Sequence, residues 1–500
     1  MFSYSRFEHK WDIDFFKIEA PVSPDYRVYA KGEEVPVYTA RISKYPLNVW
    51  WQGHQRSVDQ SEPCSYVNLV GDEEVTLTVE AKKAHSRVMV KPYSRGIEAV
   101  EEDGKITFSV RPGDQLALEL DDYHGLLYIF YTKPIVCDDP ASVTHYFGPG
   151  IHYPRQINLK SGDRVYIDKD ALVYGCFLAK DAEDIEIFGN GILDDSGEAR
   201  FSCHCYEDYT VGNLKFYDCK NVRIRGVGMQ NSAIWCLNLF HCFDVLVDDV
   251  KIFGQWRYNT DGIDICNCQN IFIKNSFVHS FDDTITLKGI LRYRHTPLVN
   301  IHVENCVLWC DWGKTCEIGI ETACEAYENI SFVNCDVLRA GSYACDIANG
   351  YTAYIRNVRF EDIRVEYNVF DTPGQLQETD EVVYTRGDEI DIPNLIQISN
   401  GRFTGCGTDY DICAGDSVPE KSAWVSGVVC KDIRVYYDEG VPLTNGKPTV
   451  KINLLNERGC EGTKLEGITI ENISVNGKRL ERSDIVWKLD HVDEGDYTFS

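Results

Sequence analysis

Four aspartates, Asp261, Asp264, Asp282 and Asp283, fall within 23 residues of the segment RYNTDGIDICNCQNIFIKNSFVHSFDDTITLKG, which covers 257–289. Carboxyl groups crowded into one place cannot all ionise freely, so at least one keeps its proton near neutrality. A protonated carboxyl beside an ionised one can protonate a leaving oxygen while activating water, which is what cleavage of a glycosidic bond requires. Asp261, Asp282 and Asp283 are therefore the candidate catalytic residues. Asp264 reads as a residue that caps or bonds the backbone.

This chemistry needs a scaffold that sets Asp261 beside Asp282 and Asp283, and a repeat in the sequence supplies one. The pattern is Asn, Asp or Gly, an apolar residue, any residue, an apolar residue, then often a polar residue and Asn, Asp or Gly. It starts at Asp184, Asn221, Asp244, Asn270, Asn300, Asn329, Asn357, Gly427 and Gly467, at intervals of 37, 23, 26, 30, 29, 28, 70 and 40 residues. Each unit alternates with period two, as a strand with one buried face does. No unit can bury that face alone, whereas units stacked in register share a continuous core. The expected fold is all-β, a parallel β-helix. Residues one coil apart then become lateral neighbours about 4.8 Å apart, which brings the aspartates together. Cys219, Cys242, Cys268, Cys306 and Cys335 recur near the turns and are expected to form internal ladders.

The first 140 residues differ. Segments such as EEVTLTVEAK, KITFSVRPGD and GLLYIFYTKP alternate and are separated by turn signals, as in a small antiparallel β-sandwich. The expected organisation is a sandwich domain over 1–140 and a β-helix domain over 141–500. Two long intervals, about 368–423 and 438–463, interrupt the repeat and are expected to wall a groove.

NTDGIDI, followed 21 residues later by FDDTITLKG, resembles the signature of the polygalacturonase family of glycoside hydrolases (family 28), most closely its exo-acting members. The likeness spans roughly 145–370, and the sandwich-plus-helix layout also resembles the family 49 dextranases. The resemblance implies a right-handed, pectin lyase-like β-helix and an inverting hydrolase. Carried over, Asp282 is the general acid, Asp261 with Asp283 activates water, and Lys288 contacts substrate. Two departures stand out. Where the family has GHG before an IGSE-like strand, this chain has Trp312-Gly313-Lys314 before EIGIET. Where the family has an RIK segment that grips a uronate, it has Asp346-Ile347-Ala348. Losing a bidentate Arg and gaining an Asp penalises a uronate there, so a sugar other than galacturonate is expected.

Further candidate substrate contacts are Glu317 and Glu321, which alternate with Ile318 and Ile320, and Arg292 in the basic loop after the catalytic segment. Trp256, Tyr258 and Trp312, with Trp235 and Trp309, are candidate sugar-stacking rings. The alternatives are exo-polygalacturonase action proper, a β-helical polysaccharide lyase, in which the Asp cluster would hold calcium, and a non-catalytic carbohydrate-binding solenoid.

A formal charge of −28 argues against nucleic acid and anionic membrane as partners. The expected partner is an oligosaccharide, with a homo-oligomer as a further possibility. The chain opens without a basic segment followed by an apolar one, and no apolar run reaches about 18 residues. Its 20 cysteines then read as free thiols, and a cytoplasmic location is expected. No cofactor and no metal are expected; Cys203-His204-Cys205 lacks the spacing of a metal knuckle.

Overall fold

The computed structural model describes residues 2–6, 21–44, 58, 61–199, 210–368, 375–376, 385–386, 392–401, 423–456 and 463–500. Cys203-His204-Cys205 and most of the two long intervals lie outside the described residues.

The amino-terminal region holds two sheets. One has five antiparallel strands in the order Glu33–Val35, Tyr26–Ala30, Val75–Ala81, Lys105–Val110 and Val100–Glu102. The other has six, including Ser61–Val70, Gln115–Leu120 and Asp122–Thr132. The second sheet is not wholly antiparallel, because Ser61–Val70 pairs in parallel with Asp122–Thr132. Val28, Leu77, Val79, Ile106 and Phe108 meet Leu69, Leu118, Leu127 and Ile129 in the core between the sheets.

The six-stranded sheet is buried on its other face as well. There Tyr66, Tyr128 and Phe130 pack on Phe253, Phe277, Trp309 and Leu338 of the helix. Gln115–Leu120 is buried at every position, which explains why a strand flanked by two apolar layers reads QLALEL.

From His145 onward, parallel strands stack into a β-helix with one sheet of 12 strands and another of 21. The repeat units lie side by side in the first. Ile185, Val222, Val245, Ile271, Ile301, Ile330, Val358, Val428 and Ile468 occupy one register line and point into a common core. Burying each such side chain contributes roughly 1.5–3 kcal/mol. The cysteines at 219, 242, 268, 306 and 335 belong to that core, where the Cys242 N–H donates to Cys268 Sγ at 3.2 Å.

The ends of each unit explain its consensus. All nine first residues, Asp184 through Gly467, have φ between 53° and 63°. All nine sixth residues, from Gly189 to Asn472, also have positive φ. This left-handed conformation costs an ordinary L residue roughly 1–2 kcal/mol, and only Gly, Asn and Asp adopt it readily. Asparagine adds a side-chain ladder. Asn270 donates to Asp244 at 2.9 Å, Asn300 to Asn270 at 3.0 Å and Asn329 to Asn300 at 3.1 Å.

Candidate active site

Four neighbouring parallel strands of the helix carry the site: Ile263–Cys266, Ile285–Gly289, Lys314–Thr322 and Tyr343–Asn349. Ile263, Ile265, Ile285, Leu287, Cys316, Ile318, Cys345 and Ile347 turn into the core. The alternating residues Asp264, Thr286, Glu317 and Asp346 therefore form one row on the outer face, in register. Alternation ends within the third strand. The register shifts opposite Leu287 and Gly289, and Ile320, expected in the core, instead lines a cavity on the outer face.

The chain entering these strands delivers the aspartates. The Gly262 N–H donates to the Asp283 carbonyl and the Thr284 N–H to the Lys314 carbonyl, each at 2.8 Å, so the entries follow one another rung by rung. In a regular strand Asp282 and Asp283 would face opposite sides. A bend prevents this: Ser280 Oγ donates to the Asp282 carbonyl at 2.6 Å, and the Asp283 N–H donates to Asp282 Oδ1 at 3.1 Å.

Both carboxylates then meet Gly313 on the next rung. A Cβ there would stand 2.3 Å from Asp283 Oδ1 and 2.6 Å from Asp282 Oδ1. Only glycine leaves room for the pair.

Asp261 joins them. Asn259 Nδ2 donates to Asp261 Oδ1 at 3.3 Å and to Asp282 Oδ2 at 3.4 Å. Lys288 Nζ lies 2.9 Å from Asp261, 3.1 Å from Asp264 and 3.7 Å from Asp283, 4.0 Å from the centre of the Trp235 ring. Lys314 Nζ lies 3.4 Å from Asp283 and 3.1 Å from Glu317. Asp346, the next carboxyl in the row, accepts from Gln397 Nε2 at 3.1 Å.

Six buried carboxyl groups thus face two ammonium groups. Full ionisation would leave four uncompensated negative charges, so several of the acids hold protons. Burial, reinforced by the charges of Asp261 and Asp283, pushes Asp282 well above the usual carboxylate range. Burial acts the same way on Asp283, but Lys314 and Lys288 outweigh it and hold that carboxyl below its ordinary value. Burial raises Asp261 strongly against the pull of Lys288. It also raises Asp264 and Asp346 to about 7, against Lys288 and Lys314 respectively. The site therefore sets a carboxyl that holds its proton, Asp282, next to an ionised carboxylate, Asp283.

The other expected contacts divide. Tyr258 and Trp312 meet with ring centres 5.5 Å apart, and Phe281 stacks on Trp312 at 5.8 Å, so two aromatic faces adjoin the Gly313 rung. Glu317 and Asp346 are in the row, both without exposure, and the charge of Glu321 acts on Lys288. Trp256 is half-buried, with the Arg257 guanidinium over its ring. Arg292 sits on an exposed turn past the opposite end of its strand from Asp283, above the Tyr293 ring.

Two sequence readings change. Asp264 caps nothing; it is ion-paired with Lys288. Trp309 is no sugar platform, being fully buried under the amino-terminal sheet and stacked on His279. Lys288 is itself 3% exposed, which suits it to fixing the aspartates. Lys314 and Asn259 were missed as site residues. Their position one coil from Asp283 and two residues before Asp261 was the available signal.

Among the described residues, the group of ligand-type side chains close enough to hold a metal ion is Cys176, Asp195 and Glu198. The Glu198 carboxylate already accepts from the Val211 and Gly212 N–H groups at 2.7 and 2.9 Å.

Residues 161–373 match the family model of the Glycosyl hydrolases family 28, a span that holds all three aspartates with Lys288, Lys314, Glu317 and Asp346. The exopolygalacturonase of Cochliobolus carbonum is 28% identical over 150 residues, covering 29% of this chain and 32% of that protein. The "Probable exopolygalacturonase B" of Aspergillus fumigatus is 25% identical over 209 residues, covering 37% and 44%. The chain spans less than half the length of these curated relatives. Among solved structures, Dex49A from Penicillium minioluteum superposes with a TM-score of 0.59 over 100% of this chain and 98% of that one, at 15% identity. That is a likeness of fold. The chain resembles the family 28 glycosyl hydrolases, and its layout is shared with Dex49A.

Proposed function

We propose that the protein is an inverting glycoside hydrolase acting on an oligo- or polysaccharide. The observation that carries this reading is the adjacency of a carboxyl held protonated, Asp282, and one held ionised, Asp283, in one bend against Gly313. Asp282 donates its proton to the glycosidic oxygen as the bond to the anomeric carbon breaks. Asp283, with Asp261 behind it, takes a proton from the water that attacks the opposite face of the sugar. Asp282 ends ionised and the base ends protonated, and exchange with solvent resets both. Asp282 Oδ1 and Asp283 Oδ1 both lie within 2.6 Å of one point above Gly313, closer together than the about 6.5–9.5 Å usual for an inverting pair, so inversion is proposed on the resemblance to family 28 and not on this spacing.

Tyr258 and Trp312 offer ring faces for a sugar at the bond to be cleaved. The unit beside Asp346 is proposed to be other than galacturonate, because Asp346 stands where the family places its cationic clamp. Exo action is proposed on the names of the two relatives described above. A reducing, cytoplasmic setting is proposed on the 15 described cysteines, all free thiols and 14 of them buried.

The experiment is a panel of galacturonides, α-glucans, galactosides and rhamnose-containing fragments, given to wild type and Asp282→Asn. Wild type should release a product whose first-formed anomer, seen by NMR, is inverted. Asp282→Asn should lose about 10²–10⁴-fold in rate with its circular dichroism unchanged. Equal rates for both proteins would dispose of the assignment. An unsaturated product absorbing in the ultraviolet would identify a lyase instead.

A further inference from the structure

Beyond the carboxylate row, the outer face of the helix changes character. The register line through Glu317 and Asp346 continues to Gln397, Asn453 and Lys488. Asn453 Nδ2 donates to Asn394 Oδ1 at 3.1 Å and to Gln397 Oε1 at 3.4 Å, and Gln397 donates on to Asp346. Over these rungs lies an open cavity of about 540 Å³, lined among others by Asn394, Gln397, Ser399, Asn453, Lys451 and Lys488. That volume lies within the range of small-molecule sites, about 300–1,000 Å³.

Its charge is the notable property. The chain has 78 acidic residues against 50 basic ones, yet the described residues lining this cavity include two lysines and no carboxyl group. A random patch of so acidic a surface would be expected to carry acids. Lys488 is exposed, so its ammonium is available to a ligand, and the amides and the Ser399 hydroxyl supply neutral hydrogen-bonding groups beside it. Lys488 stands five rungs beyond the Asp283 strand, roughly 24 Å along the groove at about 4.8 Å per rung. Ile320, Tyr343, Ala348 and Gly350 of the lining lie within the family match, whereas Asn394 through Lys488 lies past residue 373, where it ends.

We propose that this cavity is an accessory subsite for an anionic sugar unit, a uronate carboxylate or a sulfate ester, held by Lys488. The inference rests on the glycoside hydrolase reading, because it places the unit on the same groove as the aspartates. It makes the substrate a mixed saccharide, with a unit that is not galacturonate at Asp346 and an acidic unit farther along.

The test uses the full chain carrying Asp282→Asn, so that ligand is bound without turnover. Calorimetry compares trigalacturonate, its carboxyl-reduced neutral counterpart and a 6-O-sulfated galactotriose. The anionic ligands should bind about tenfold more tightly than the neutral one, the scale of one charge-assisted hydrogen bond. Adding Lys488→Ala should remove most of that preference. A preference for only one anionic ligand identifies its source as uronate or sulfate. Equal affinities for all three, or a preference that survives Lys488→Ala, overturn the subsite. Wild-type hydrolysis is measured separately. Hydrolysis without charge preference leaves the enzyme reading standing alone, whereas lysine-dependent binding without hydrolysis of any panel member removes the enzyme reading and keeps the subsite.

Discussion

Lys314 places two positive groups on one oxygen of Asp283: its backbone N–H donates to Oδ1 at 3.1 Å and its ammonium stands 3.4 Å from the same atom. A lysine at the end of the segment where the polygalacturonase pattern has GHG therefore helps keep Asp283 ionised next to a protonated Asp282.

This arrangement sets a pH profile. Activity requires Asp283 ionised and Asp282 protonated, so kcat/KM should rise as Asp283 loses its proton and fall as Asp282 does. Lys314→Met removes the ammonium that depresses Asp283, so the acidic limb should move to higher pH while the backbone hydrogen bond remains. An acidic limb unchanged in Lys314→Met would show that the ammonium does not set the charge of the base.

Gly313→Ala tests the bend directly. Its Cβ would approach Asp283 Oδ1 to 2.3 Å and the Asp283 amide nitrogen to 2.7 Å, so the carboxylates must shift. Misplacement of reacting groups by an ångström costs about 10²-fold in rate. We expect a loss of that order in kcat, with a melting temperature close to wild type. Full activity would mean that the two carboxyl groups do not work in the geometry described.

The corner asparagines predict a stability pattern. Asn300 has φ 57° and is bonded to Asn270 and Asn329. Asn300→Ala forces a β-carbon residue into the left-handed region and should cost about 1–2 kcal/mol. Asn300→Gly loses the ladder bonds but keeps the backbone and should cost less. Denaturant midpoints rank the two, and a glycine variant weaker than the alanine one would refute the backbone explanation.

A pH-linked stability effect resides where the amino-terminal sheet meets the helix. Lys91 Nζ is 3.2 Å from Glu119 and 3.6 Å from Glu366, all three side chains being buried. Burial pushes Glu366 from 4.5 up to about 8 despite Lys91. A raised folded-state value means its stabilising contribution is present below 4.5 and is lost as pH climbs to about 8. The loss is at most roughly 1.4 kcal/mol per pH unit. Glu366→Gln should flatten stability against pH across that window, measured by denaturation at pH 5, 6.5 and 8. An unchanged slope would count against the buried acid.

The sequence displayed the solenoid because its corner positions admit so few residue types, and it displayed the aspartates because one coil of spacing makes them neighbours. What it hid was set by partners distant along the chain. Ile320 keeps the strand alternation in sequence, yet a register shift places it on the outer face. Trp309 looks like any groove aromatic until Tyr123 and Tyr128 of the amino-terminal region are seen to close over it. The burial of Lys288 likewise depends on Trp235 from another coil. Pattern shows which face a residue can take, whereas tertiary contact decides what covers that face.

The left-handed corners constrain only the two ends of each six-residue unit, and the lengths between units vary from 17 residues to several times that. Backbone geometry is thus enforced at a few fixed points while the chain linking them is released from it. A scaffold so pinned can gain, lose or lengthen the walls of its groove without any change to the interior stack. On the function proposed above, new saccharide preferences can arise by insertion, with the acid and base left where they were.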